Sequence, residues 1–225
     1  MAGFRHLPLK RAVKENQQLT CRIKGCSRKR YQVATLCQKH LTTKRNCGHP
    51  EGRLHTISEF EITMNLTAEV IRLNREHLLI SSALGFIDRL LWRSNNSGTP
   101  ALSRYAERYV RKVAERVEMD RTPGDRKVTI PYILTLISAM ATEHYNRHSP
   151  FLDDVEFLAN IGTRFIRLSL NQGNHIRRTP RRQIEKLLWR KLGQACLVIR
   201  DAANKMEAEK YKRKELEAIP LKTSD

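Results

Sequence analysis

From residue 57 to residue 217 apolar side chains recur every three or four positions, the period of a helix that buries one face. The pattern predicts helices over 57–94, with a break near 65–67, and over 100–119, 131–146, 150–172 and 180–217. Three of these starts carry a hydroxyl residue directly before proline: Thr99-Pro100, Ser149-Pro150 and Thr179-Pro180. Such a hydroxyl can accept a bond from an orphan first-turn N–H, and proline there lacks only an N–H that had no partner. Linkers rich in Gly, Asn, Ser, Pro and Asp fall at 95–98, 122–125 and 173–174, and Gly173 closes the fourth helix. No alternation of period two competes, so the fold class expected is mostly α: a bundle of about five helices over 56–217, with a short tail at 218–225.

Within the bundle, the 15 residues from Val128 to Thr142 carry no charge and predict the central helix. In the last helix Ile184, Leu187, Leu188, Leu192, Ala195, Ile199, Ala202 and Met206 fall on one stripe, and Arg182, Lys186, Arg190 and Arg200 on the other side. Trp92, beside Leu90 and Leu91, is expected in the core. Trp189 is expected to be a partly buried packing residue, and Cys196 a buried free thiol.

The first 55 residues break this pattern. They hold 13 Lys/Arg against two acids, Glu15 and Glu51, whereas residues 56–173 hold 15 against 14. Residues 174–215 again carry an excess, 13 against five, and together these segments account for nearly all of the net +19 of the 225-residue chain. The basicity therefore sits at two ends around a neutral body, and points to a polyanion. Hydrophobic residues make up 40% of the chain and charged residues 29%, which suits a folded protein and not a disordered polybasic tail. No stretch reaches the roughly 18 apolar residues of a membrane span, and the amino terminus lacks a secretory apolar segment. A cytoplasmic protein with no membrane partner is the expectation.

Four of the five cysteines lie between Cys21 and Cys47. Cys21 and Cys26 form one close pair and Cys37 and His40 another, separated by a loop, which is how four soft or borderline ligands wrap a tetrahedral Zn2+. Cys37 and His40, three residues apart, can project from one helical turn, and Gly25 suits a tight turn before Cys26. Arg22, Lys24, Arg28, Lys29 and Arg30 favour ionised thiols. Cys47 or His49 could replace His40 as fourth ligand, while His6 and His55 are expected in solvent.

The runs Cys21-Arg-Ile-Lys-Gly-Cys26, Leu36-Cys37-Gln-Lys-His40-Leu41 and Lys44-Arg45-Asn-Cys-Gly48-His-Pro50 resemble a short zinc-binding module common in phage and mobile-element proteins, some of them HNH-type endonucleases. The resemblance covers about 30 of the 225 residues. It implies that Cys21, Cys26, Cys37 and His40 are the ligands and that Cys47 is not. The catalytic hairpin of an HNH nuclease has no counterpart downstream; the nearest string, Asn74-Arg75-Glu76-His77, sits in a helical pattern and reads as surface chemistry.

Arg177, Arg178, Arg181 and Arg182 crowd the start of the last helix, where the macrodipole disfavours cations and a phosphate would relieve them. His144 and His148, one turn apart, read as helix-end residues before the acids Asp153, Asp154 and Glu156, and not as a metal pair. No catalytic constellation emerges. The function expected is zinc-dependent, non-catalytic binding of nucleic acid, DNA more than RNA. In it Arg28, Lys29, Arg30, Lys44 and Arg45 contact phosphates from the segment 1–55, and Arg177, Arg178, Arg181, Arg182, Lys186 and Arg190 make a second contact. The neutral body holds the two at a fixed distance. The alternatives are an adaptor that binds a protein of the transcription or replication machinery, and an HNH-like nuclease with a degenerate site.

Overall fold

The computed structural model describes residues 9–52, 56–119, 128–147, 154–169 and 176–217. Among them the chain is helical without a β-strand; Thr20 and Lys29 make a single antiparallel bridge. In order come α1 (Leu9–Asn16), α2 (Gln38–Cys47), a 3-10 turn (Ile57–Phe60), α3 (Glu61–Leu73), α4 (Leu78–Asn96), α5 (Arg104–Met119), α6 (Ile130–Arg147), α7 (Asp154–Arg167) and α8 (Arg178–Glu217). The expected start at Ser149-Pro150, the linkers 122–125 and 173–174, Gly173, the tail 218–225, His6, His55, His148 and Asp153 lie outside the described residues.

The segment expected as one helix over 57–94 is two, and the break falls at 74–77, not at 65–67. Thr67 does not interrupt α3 because its buried hydroxyl donates to the Thr63 carbonyl one turn back, 2.8 Å away. Asn74 ends the helix by giving both its backbone N–H and its side-chain amide to the Val70 carbonyl, at 3.0 and 2.9 Å. Among the described residues the body therefore has six α-helices.

The hydroxyl-proline pairs mark helix starts only approximately. Ser103, not Thr99, begins α5: its carbonyl takes the Glu107 N–H at 2.9 Å, while Thr99 and Pro100 belong to a preceding turn. Thr129 caps α6, accepting the Tyr132 N–H at 3.2 Å. In α8 Pro180 is the third helical residue, since the Arg181 N–H reaches the Arg177 carbonyl at 3.2 Å. Every N–H of a first turn lacks an intrahelical partner, so proline is tolerated anywhere in that turn.

The core forms around α6 and α8. Ile133, Leu134, Leu136 and Ile137 of α6 are buried, as are Ile184, Leu187, Leu188, Leu192, Ala195 and Ile199 of α8. Helices α3, α4, α5 and α7 also pack on α8. Cys196 is buried, accepts a bond from the Ser138 hydroxyl at 3.4 Å, and has its thiol pushed up to about 12 by burial. Trp189 sets its ring edge-on to Phe157 with centroids 4.9 Å apart. Trp92 is a correction: it is 62% exposed, because one step of about 100° beyond Leu91 carries it off the core face. No described helix is long and apolar enough to cross a membrane.

Candidate metal centre and its junction with the body

The residues between α1 and α2 fold through short turns rather than regular structure. Gly25, at φ +80°, makes the turn that returns the Cys26 N–H to the Ile23 carbonyl at 3.1 Å. The Asn16 amide closes the loop from the end of α1, donating to the carbonyls of Gln32 and Ala34 at 2.7 and 2.8 Å. Cys37 then caps α2, and His40 follows in its first turn.

These turns bring Cys21, Cys26, Cys37 and His40 together with all four ligand atoms within 4.8 Å of one another, a Cys3His group positioned to bind a metal ion. His40 Nδ1 lies 3.3 Å from Cys21 Sγ and 3.5 Å from Cys37 Sγ, and Cys26 and Cys37 Sγ are 3.9 Å apart. A tetrahedron with Zn–S near ~2.3 Å and Zn–N near ~2.0 Å sets S···S at about 3.8 Å and S···N at about 3.5 Å. The donor set and its spacing fit zinc. Burial pushes the Cys21 thiol up, but the backbone N–H groups of Ile23 and Cys37 and the side chains of His40 and Cys37 outweigh it and bring it down to about 6. At Cys26 the Arg28 N–H pulls the thiol down, yet burial and the neighbouring Cys37 and Cys21 sulfurs raise it overall. One thiolate thus forms readily and opposes the next, a conflict a bound cation relieves.

Cys47 and His49 stand outside this group and serve the junction instead. The last carbonyls of α2 need partners, and the body supplies two of them. Thr163 of α7 donates its hydroxyl to the Asn46 carbonyl at 2.8 Å, and Arg181 of α8 donates to the Arg45 carbonyl. The Lys44 carbonyl takes the N–H of Gly48 at 3.0 Å. Cys47 is buried here, its thiol raised by that burial against the opposing charges of Arg167, Arg181 and Arg164. His49 Nδ1 lies 3.5 Å from the buried carboxylate of Glu156.

Gly48 fixes how close the two parts come. Its φ is +91°, and a Cβ there would stand 2.8 Å from the Glu156 Cα and 3.1 Å from the Val155 carbonyl oxygen. Gly48→Ala is expected to cost about 1 to 3 kcal/mol from the backbone angle alone, and to lower the melting temperature by several degrees with metal content unchanged. An unaltered melting curve would contradict this packing.

Arg181 is the main correction to the basic surface. It is 2% exposed, with Nε 3.2 Å from the buried Glu185 carboxylate, so it pins α2 to α8 and does not face solvent. Its place at the carboxy-terminal end of α2 also relieves part of the dipole conflict at the head of α8, because that end is negative. Arg30 is half-buried and holds the loop, donating to the Thr20 carbonyl at 2.9 Å and Asn16 Oδ1 at 3.3 Å. Arg28, Lys29 and Lys44 are exposed, and Lys29 gives one N–H to the Gln18 carbonyl. Arg45 is half-buried; Arg177, Arg178, Arg182, Lys186 and Arg190 are exposed. The end of α2 meets the first turn of α8 through Arg181 and the Arg45 carbonyl. Sequence reading missed Thr163, Glu156 and Glu185 as junction residues, although Glu185 stands one helical turn from Arg181, a spacing that signals an ion pair.

The string 74–77 is the turn between α3 and α4, where His77 Nδ1 accepts the Leu79 N–H at 3.3 Å. Comparison with known protein families, characterised proteins and solved structures returns no match.

Proposed function

We propose that this chain is a zinc-dependent, non-catalytic nucleic-acid-binding protein, acting on DNA more than RNA, in the phage or mobile-element setting that its ligand spacing resembles. One observation carries the reading. Arg178, Arg182, Lys186 and Arg190 are all exposed and follow one another at intervals of four residues on α8. At a rise of ~1.5 Å per residue they form a line of cations about 6 Å apart. The acid within this stretch, Glu185, is buried against Arg181, so the line carries no exposed counter-charge. It begins at the junction with α2. An ordinary solvated face mixes both signs; an unbroken line suits a phosphate backbone.

In this reading zinc on Cys21, Cys26, Cys37 and His40 would fold the segment that carries Arg28, Lys29 and Lys44. The cations contact phosphates, which positions the protein without reading sequence. The test is fluorescence anisotropy with duplex DNA, single-stranded DNA and RNA at 50 and 200 mM salt. Arg182→Gln/Lys186→Gln/Arg190→Gln, which spares the buried Arg181, should lower the slope of log affinity against log salt by about 2.7 on duplex DNA. Failure of the wild type to bind any of the three at 50 mM salt overturns the reading.

A further inference from the structure

Helix α5 belongs to the part of the chain whose charges balance along the sequence, but in space its first turn adjoins the basic head of α8. Ser103 gives its N–H and its hydroxyl to Gln183 Oε1, at 3.1 and 2.6 Å. The Arg177 N–H reaches the Tyr109 hydroxyl at 3.4 Å, and the Arg177 guanidinium lies over the Tyr105 ring, 4.8 Å from its centroid. Arg104, Tyr105 and Arg108 are exposed on the first turns of α5, as are Arg177, Arg178 and Arg182 at the head of α8.

Two acids of α5 are engaged elsewhere. Glu107 accepts the Thr99 N–H, and Glu115 lies 4.0 Å from Arg111. Among the described residues no ion pair joins Arg104, Arg108, Arg178 or Arg182 to a carboxylate. Unpaired guanidiniums at two adjoining helix starts repel one another and oppose both dipoles, a cost that an anion offsets. The ring contact also orders Arg177, whose side chain would otherwise lose rotamer freedom on binding.

We infer that α5 supplies a second contact strip for the same nucleic acid: Arg104 and Arg108 grip phosphates beside Arg177, Arg178 and Arg182, and Tyr105 is the positioning residue for Arg177. This rests on the nucleic-acid reading above and extends it to a helix within the part of the chain whose charges balance as a whole.

The experiment measures duplex-DNA affinity of the full chain between 50 and 200 mM salt. Arg104→Gln/Arg108→Gln removes two phosphate contacts, so the slope should fall by about 1.8, and the affinity lost between the two salt concentrations should shrink about tenfold. Tyr105→Leu should weaken binding in the wild type and have no effect in an Arg177→Gln background, which general damage to the fold would not produce. Circular dichroism and melting should be unchanged, since these side chains are exposed. If the wild type binds and the α5 double variant keeps its affinity and slope, or loses affinity with the slope intact, the α5 strip is refuted while the nucleic-acid reading stands. If the wild type itself does not bind at 50 mM salt, both fall.

Discussion

Cys37→Ser is expected to abolish stoichiometric metal binding and to unfold residues 9–52 while leaving the helical body folded. The reason is the size of the local core. Cys21, Leu36 and Cys37 are its buried apolar residues, with Ile23, Cys26 and Leu41 packed around them, so half of that small cluster consists of ligands. Fewer than about 40 to 50 residues rarely fold without a metal, disulfides or a partner, and a structural zinc site supplies on the order of 10 kcal/mol. Cys37 is the residue before α2 and makes no side-chain cap bond there, so what its replacement removes is the metal tether of a helix whose other end is docked on the body. Metal analysis should find one zinc per chain in the wild type and in Cys47→Ser, and none in Cys37→Ser. A chelator should reproduce the Cys37→Ser loss of ellipticity, and falling pH should weaken zinc binding because protons compete with the metal for its ligands. Retention of zinc by Cys37→Ser, or its loss in Cys47→Ser, would refute the ligand set.

Arg181→Ala should be the most damaging single change in the body, costing about 3 to 5 kcal/mol, because it leaves the buried Glu185 carboxylate unpaired. It also strips the Arg45 carbonyl of its donor. Burial already raises the Glu185 carboxyl above the usual glutamate range, with Arg181, Arg182 and Lys186 opposing the rise. Removing Arg181 moves it further up. A carboxyl raised in the folded state contributes stability that is present below its unfolded value, about 4.3, and lost as pH rises through the folded value. Arg181→Ala/Glu185→Gln should therefore recover much of the loss at neutral pH, and the gap between the two variants should close as pH falls and Glu185 takes up its proton. Comparing the two variants cancels the pH dependence of the metal site. Urea unfolding at several pH values measures this, and a gap that widened towards acid would show that the ion pair does not hold the junction.

Features set by local spacing were legible in the sequence. The Cys3His group, the buried run through α6 and the apolar stripe of α8 all rest on intervals of a few residues, and each stands where those intervals placed it. The break between α3 and α4 was misplaced because Asn65 and Thr67 look like helix breakers until Thr67 is seen bonding back within its own helix. Trp92 was misassigned because a run of three apolar residues reads as buried, although a helix turns the third away. Arg181 could not be assigned from the chain alone. Its spacing from Glu185 hints at an ion pair, but its partner at Arg45 is 136 residues away, and the packing of α2 is what buries it while Arg182 beside it stays exposed.

Helix α8 packs on α3, α4, α5, α6 and α7, and its first turn also receives the end of α2. That gives assembly an order in time. At about 5 to 20 residues per second, the 136 residues between Arg45 and Arg181 take roughly 7 to 27 seconds to synthesise. The ligand residues thus emerge and can gather their metal well before the helix that will receive them exists. During that interval Cys47 has no body to cover it. Closure of the core and docking of the amino-terminal segment wait on the same helix, so both follow the synthesis of α8.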